Sequence, residues 1–239
     1  MEQIRLQKLM AESGVGSRRY CEILISAGRV SLNDEIVTEL GTRASLTDEI
    51  RVDGVLLLKR EHILVVALNK PTGVVSAMSD PEKRHLGQFV GDYSERLFHV
   101  GRLDEMTEGL IILTNDGDLA QRLSHPKYEV QKTYMAKVSG KLDPKGIRQL
   151  LEGVELEDGH IKCDRAILKG NSADSSLIEV VIHSGRNRIV RRMLSAIGHP
   201  VERLIRTHIG GLGLDSLAPG QTRELTDVEI KSLSQDFDC

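Results

Sequence analysis

The stretch HVGRLDEMTEGLIILTNDGD, residues 99–118, constrains this chain more than any other. Its four consecutive aliphatic residues, LIIL at 110–113, offer no polar face and read as a buried strand. Just before that strand, Gly101 and Gly109 bracket a loop that carries Arg102, Leu103 and Asp104. A carboxylate placed there has two readings. It is a turn residue that bonds its own loop amides, with the glycines supplying backbone freedom, or it is a chemical group presented from a rigid mount. For an isolated Asp in a loop the turn is the better account, and the rest of the chain has to overturn it.

Local signals divide the chain in two. An amphipathic helix is expected over 3–12, then a turn at SGVGS, and a second helix over 18–26 with Ser17 as N-cap and Gly28 past its end. RVSLNDEIV reads as a hairpin turning at Asn33-Asp34, and DEIRVDG as a further strand. These make a module over 1–58, with a charged linker at 59–62 and a larger domain over 63–239. The second domain opens on the strand ILVVALNK and the turn PTGVV. A short helix after NDGD stops at His125-Pro126. KTYMAKV alternates as a strand, and DPKGIRQLLEG is a helix capped by Asp143 and closed by Gly153. LEDGH reads as an Asp-Gly hairpin turn, SLIEVVIH as a strand, RNRIVRRMLSAIG as a helix over 187–197, and ERLIRTHIG as a strand. Strands and helices do not alternate regularly. The expected class is therefore α+β, with a mixed, mainly antiparallel sheet, flanking helices and a central cleft.

Phosphate loops, HExxH, GxSxG and EF-hand spacings are missing from the sequence. Its three cysteines are scattered, which fits a reducing compartment. The charged start and the lack of any run near the roughly 18–20 apolar residues of a membrane span point to a cytoplasmic protein without membrane contact. The expected chemistry uses neither metal nor cofactor.

A formal charge of -3 and aromatics at 3% argue against extensive base stacking and against a uniformly basic surface. Local charge says otherwise. Between His183 and His208 stand six arginines, Arg186, Arg188, Arg191, Arg192, Arg203 and Arg206, opposed within that segment by Glu202 alone. On a helix over 187–197, Arg188, Arg191, Arg192 and Ser195 form a stripe beside the apolar face of Ile189, Val190, Met193, Leu194 and Ile197. Such a stripe is either a solvated face or a site for an anion, and its lack of acidic residues favours RNA or a carboxylate. Tyr134 in KTYMAKV is, by itself, an ordinary strand aromatic, and Lys70-Pro71 with Gly73 an ordinary strand-ending turn.

Together, GRLDEMTEGLIILTNDGDLA, LNKPTGVVSAMSD, KTYMAKV and HSGRNRIVRRMLSAIGHPVERLIR resemble the pseudouridine synthases, in order and spacing the branch typified by RsuA and RluB, and nearer its RluB side. GVGSRRYCEILISAGRVSLNDEIV resembles the S-four-like RNA-binding module that precedes the catalytic domain in that branch. The resemblance implies that Asp104 is the catalytic carboxylate. It implies that Arg102 stabilises the place left by a flipped base, that Tyr134 stacks on that base, and that Arg191 pairs with Asp104 and keeps it ionised. Val190 packs beneath the base. Arg188 and Arg192 are placed with the substrate-binding residues, as is Lys70, whose part is to support the loop. Arg18, Arg19 and Arg29 are expected to contact phosphates. The implied partner is ribosomal RNA of the 23S type, free or in a precursor ribosomal particle, and the enzyme a monomer. Two alternatives stand beside this: modification of small-subunit RNA, and an inert RNA-binding assembly factor. A hydrolase using Asp104 and Glu105 is disfavoured, because adjacent loop residues point apart. The sequence departs from the family pattern at Ala77 and Asp34, and carries Arg191 where some members have Lys.

Overall fold

The computed structural model describes residues 3–57 and 62–233. They fall into two units. One takes 3–57 and 62–64 with 93–97 and 115–117, and the other 65–92, 98–114 and 118–233. The expected linker at 59–62 lies, apart from His62, outside the described residues.

The first unit runs β1 (Ile4–Arg5), α1 (Leu6–Glu12), α2 (Arg18–Ser26), β2 (Val30–Leu32), β3 (Glu35–Val37), β4 (Arg43–Ala44), β5 (Ile50–Val52) and β6 (Val55–Leu56). Ser17 caps α2 by accepting from the Tyr20 amide at 3.1 Å. Asn33 and Asp34 take φ of 51° and 68°, the two left-handed positions of a tight hairpin. The first helix is shorter than expected, because Ile4–Arg5 pair with Arg43–Ala44 as a strand. Leu6, Leu9 and Met10 meet Cys21, Leu24 and Ile25 in this unit's own core.

The remaining elements are β7 (Val65–Lys70), β8 (Phe98–Val100), β9 (Thr107–Thr114), α3 (Gly117–Ser124), β10 (Lys132–Ser139), α4 (Pro144–Glu152), β11 (Val154–Leu156), β12 (Gly159–Ile161), β13 (Arg165–Asn171), β14 (Ser175–Ile182), α5 (Ile189–Ala196), β15 (Val201–Ile209), β16 (Leu212–Gly213), β17 (Thr222–Glu224) and α6 (Asp227–Ser232). Nine strands form one sheet, ordered β13-β14-β10-β15-β9-β7-β17, with β16 beside β15 and β8 beside β9. Its strand pairs are antiparallel except β15 with β9. The class is thus the expected α+β. The LIIL run sits in β9 with all four residues fully buried. Apolar residues of α4 and α5 pack on β10, β13, β14 and β15. Those of α3 pack with β7, β9 and Ile209 in a second cluster.

Two local expectations change. The β11–β12 hairpin turns at Glu157 and Asp158, while Gly159, at φ 101°, already belongs to the return strand. Helix α5 starts two residues later than expected, since Arg188 is its N-cap at φ 49° and leaves the helical stripe. Gly109 has a double reason to be glycine. Its φ is 105°, and a Cβ there would lie 2.2 Å from the carbonyl oxygen of Arg206 on the parallel neighbour β15. Gly109→Ala should therefore lower stability by about 3 kcal/mol or more, read from urea unfolding.

Candidate active site

The loop that carries Asp104 is pinned on both sides of that residue. Ser76 Oγ donates to the Leu103 carbonyl at 2.7 Å and accepts from the Leu103 amide at 3.0 Å. On the other side, the Gly73 amide donates to the Glu105 carbonyl at 2.9 Å. Lys70, at the end of β7, is fully buried. Its ammonium donates to the carbonyls of Pro71 (3.0 Å), Val74 (2.7 Å) and Glu105 (3.2 Å). Burial pulls its pKa down to about 8, against the upward influence of Glu105, Asp104 and Glu108. A residue with no accessible surface cannot touch substrate, so placing Lys70 among the binding residues is corrected, while its part as support for the loop agrees with the geometry.

Asp104 itself is half-buried. Among the described residues its carboxylate has neither a hydrogen bond nor an ion pair. It borders a cavity of about 160 Å³, room for one planar heterocycle and little more. The charged residues around that cavity are Arg102, Lys132, Arg186, Arg188 and Arg206, with Asp104 the only carboxylate in its described lining. Tyr134 of β10 and Val190 of α5 complete the wall from the apolar cluster behind it. Arg102 and Arg188 are exposed, and neither makes a side-chain bond to the described residues.

The structure brings together Asp104, Tyr134, Arg102, Val190 and Arg188, as the sequence led us to expect. Arg191 is different. Its guanidinium donates to the Met106 carbonyl (3.0 Å), the Thr107 hydroxyl (3.3 Å) and the Val201 carbonyl (3.4 Å), not to Asp104. Burial lowers its pKa, and the charge of Asp104 raises it, so the two groups act on each other without contact. The expected ion pair is replaced by a clamp on the backbone that follows Asp104. Arg192 lies outside that cavity's lining. It pairs with Asp158 at 2.5 Å, and Arg203 pairs with Glu108 at 2.6 Å. These arginines meet carboxylates from distant parts of the sequence. In the first unit Arg18 and Arg19 are exposed, whereas Arg29 donates through Nε and Nη2 to the two carboxylate oxygens of Asp53, at 2.8 and 2.5 Å.

Sequence reasoning missed Lys132 and Ser76, and gave Arg206 no role in the site. Lys132 had a signal: it precedes Tyr134 by two on a strand, so both leave the same face. Ser76 had none, because its partner lies 27 residues away.

A carboxylate unpaired among the described residues, inside an otherwise cationic, base-sized cavity on a mixed α+β scaffold, suits an enzyme that works on a polyanion. The comparisons identify the kind. The family described as RNA pseudouridylate synthase matches residues 64–196, and the S4 domain matches residues 4–50. An RNA pseudouridine synthase of Mycobacterium tuberculosis is 46% identical over 97% of this chain and 93% of its own length. The ribosomal large subunit pseudouridine synthase B of Bacillus subtilis is 44% identical over 96% of this chain and 95% of its own. A crystal structure of a pseudouridylate synthase superimposes with a TM-score of 0.67 at 32% identity, covering 96% of this chain and 99% of that one. The chain belongs to the RNA pseudouridylate synthase family and is an isomerase.

Buried Lys70 and half-buried Lys132 give this site a pH signature. Lys70 and Lys132 both titrate near pH 8 in the folded protein, against 10.5 as ordinary lysines. Below about pH 8 folded and unfolded chains are both charged, and the cost of burial is fully present. Between those values the unfolded chain keeps protons that the folded chain has shed, so stability rises with pH. Wild type should gain about 1–3 kcal/mol over Lys70→Met as pH rises from about 7 to about 10, read from urea unfolding.

Proposed function

We propose that this enzyme isomerises a uridine of large-subunit, 23S-type ribosomal RNA, with Asp104 as the reacting carboxylate. The observation that carries the reading is the isolation of Asp104: one unpaired carboxylate, on a loop tied down at both neighbours, in a cationic cavity that also holds Tyr134. The names of the relatives with a large-subunit substrate support the choice of RNA. Pseudouridylation breaks the bond between C1′ and N1 of uracil, turns the base, and rejoins it through C5. A carboxylate serves either by attacking C1′ or by taking a ribose proton. Both routes need the base out of its stack, at a few kcal/mol.

Tyr134 then stacks on the flipped base, with Val190 beneath. Arg102, exposed at the rim, occupies the place the base has left, and Arg188 meets the flanking backbone. Arg191 acts through the loop as a positioning residue. Residues 1–58 supply binding and residues 63–239 chemistry, in a monomer. A cytoplasmic location goes with that substrate. Mapping pseudouridines in 23S and 16S RNA from cells with and without the gene tests the substrate. A lost modification in 16S RNA alone would move the activity to the small subunit.

Asp104→Asn should bind RNA nearly as wild type and release no tritium from C5-labelled uridine. Activity within about tenfold of wild type, or ~1.4 kcal/mol of barrier, would remove Asp104 from its role. Tyr134→Phe keeps the ring, whereas Tyr134→Ala should weaken productive binding by roughly 1–3 kcal/mol, and wild-type binding and single-turnover rates for both would reduce Tyr134 to a strand residue. For the first unit, Arg18→Ala with Arg19→Ala should flatten the slope of log affinity against log salt by up to about two contacts, each near 0.7–0.9. Adding Arg29→Ala should change little more, since Asp53 already holds it.

A further inference from the structure

Arg206 lies in the middle of the sheet and is 4% exposed. It stands on β15 opposite Tyr134 of β10, and opposite residues on antiparallel strands leave the same face. Its other neighbour is Gly109, which has no side chain to fill the space beside it. The Arg206 Nε donates to the Leu110 carbonyl at 2.7 Å, while Nη2 is buried with no hydrogen-bond acceptor. Lys132 borders the same cavity and donates to the Val130 carbonyl at 2.6 Å. Neither cation has a carboxylate partner among the described residues.

That arrangement is costly, since a buried donor without an acceptor loses its hydration and gains nothing in return. The same chain neutralises Arg192 with Asp158 and Arg203 with Glu108. At Arg206 and Lys132 it does not, and these two face the cavity of Asp104. An anion that exists only during the reaction would supply the missing charge. When the C1′–N1 bond breaks, its electron pair leaves with the base, and uracil becomes an anion with charge shared among N1, O2 and O4. That charge is consumed when C5 gives an electron pair to C1′; the C5 proton then leaves to solvent and N1 takes up a proton, so the product is neutral. We propose that Arg206, assisted by Lys132, sets its positive charge beside the detached base and stabilises the base's negative charge between cleavage and re-attachment. The inference rests on the uridine-isomerising reading above and assigns a residue that Asp104 and Tyr134 do not account for. Donors held in place and stripped of water act most strongly on charge that appears in the transition state.

The test compares wild type, Arg206→Met and Arg206→Lys in single turnover at saturating enzyme. Two RNAs are used, one with uridine and one with 5-fluorouridine at the modified position, the latter followed by its disappearance from nuclease digests. RNA affinity and thermal unfolding are measured alongside. Arg206→Met should fold, bind RNA as wild type, and slow uridine turnover by about 100-fold. Fluorine withdraws charge from the departing base, so the deficit should shrink by about tenfold or more with 5-fluorouridine. Should the Met variant fail to fold, Arg206→Lys carries the same comparison. An equal deficit on both RNAs, or turnover as fast as wild type, overturns the proposal while leaving the isomerase reading intact. A wild-type enzyme inert on uridine in ribosomal RNA overturns both.

Discussion

A buried ammonium bonded to three carbonyls holds this site together. Lys70 closes the turn that follows β7 and reaches across to the Glu105 carbonyl, one residue past Asp104. A neutral donor could not replace it easily, because three acceptors converge from two segments. A carboxylate partner would satisfy the charge but pull the ammonium away from those carbonyls. Ser76 repeats the device on the other side through Leu103. The result is a carboxylate whose backbone is fixed although its side chain has no partner, which is the condition a reacting group needs.

Charge is sorted by position. Arg192 and Arg203 are neutralised by Asp158 and Glu108. Arg191 spends its donors on the loop backbone. Arg102, Arg188, Lys132 and Arg206 remain around the cavity with Asp104 the one carboxylate in its described lining, while Arg186, also in that lining, reaches Asp158 at 3.8 Å. A chain with net charge -3 thus presents a cationic site, since Glu108 and Asp158 are set against Arg203 and Arg192, which lie outside its lining.

Arg188 joins backbone and chemistry. Its left-handed φ ends the loop after β14 and starts α5 at the wall of the cavity. Non-glycine residues pay strain for that conformation and hold it where surrounding structure demands it. The turn places Val190 in the wall and keeps the Arg188 side chain free at the rim.

Much of this was legible in the sequence. The LIIL run read as a buried strand, Ser17 and Asp143 as the caps of the helices they begin, and Asn33-Asp34 as its hairpin turn. Those signals act over a few residues, through hydrogen bonds and backbone preferences that need no distant partner. The motif order carried the family and brought Asp104, Tyr134, Arg102 and Val190 to notice. Tertiary structure alone decided which arginines are free. Asp158 meets Arg192 across 34 residues and Glu108 meets Arg203 across 95, so no local pattern could tell a neutralised arginine from an available one. It also decided that Arg191 grips the loop instead of Asp104, and that Lys70 is buried. Long-range pairing of charge depends on where strands land in the sheet, and a sequence read locally holds no record of that.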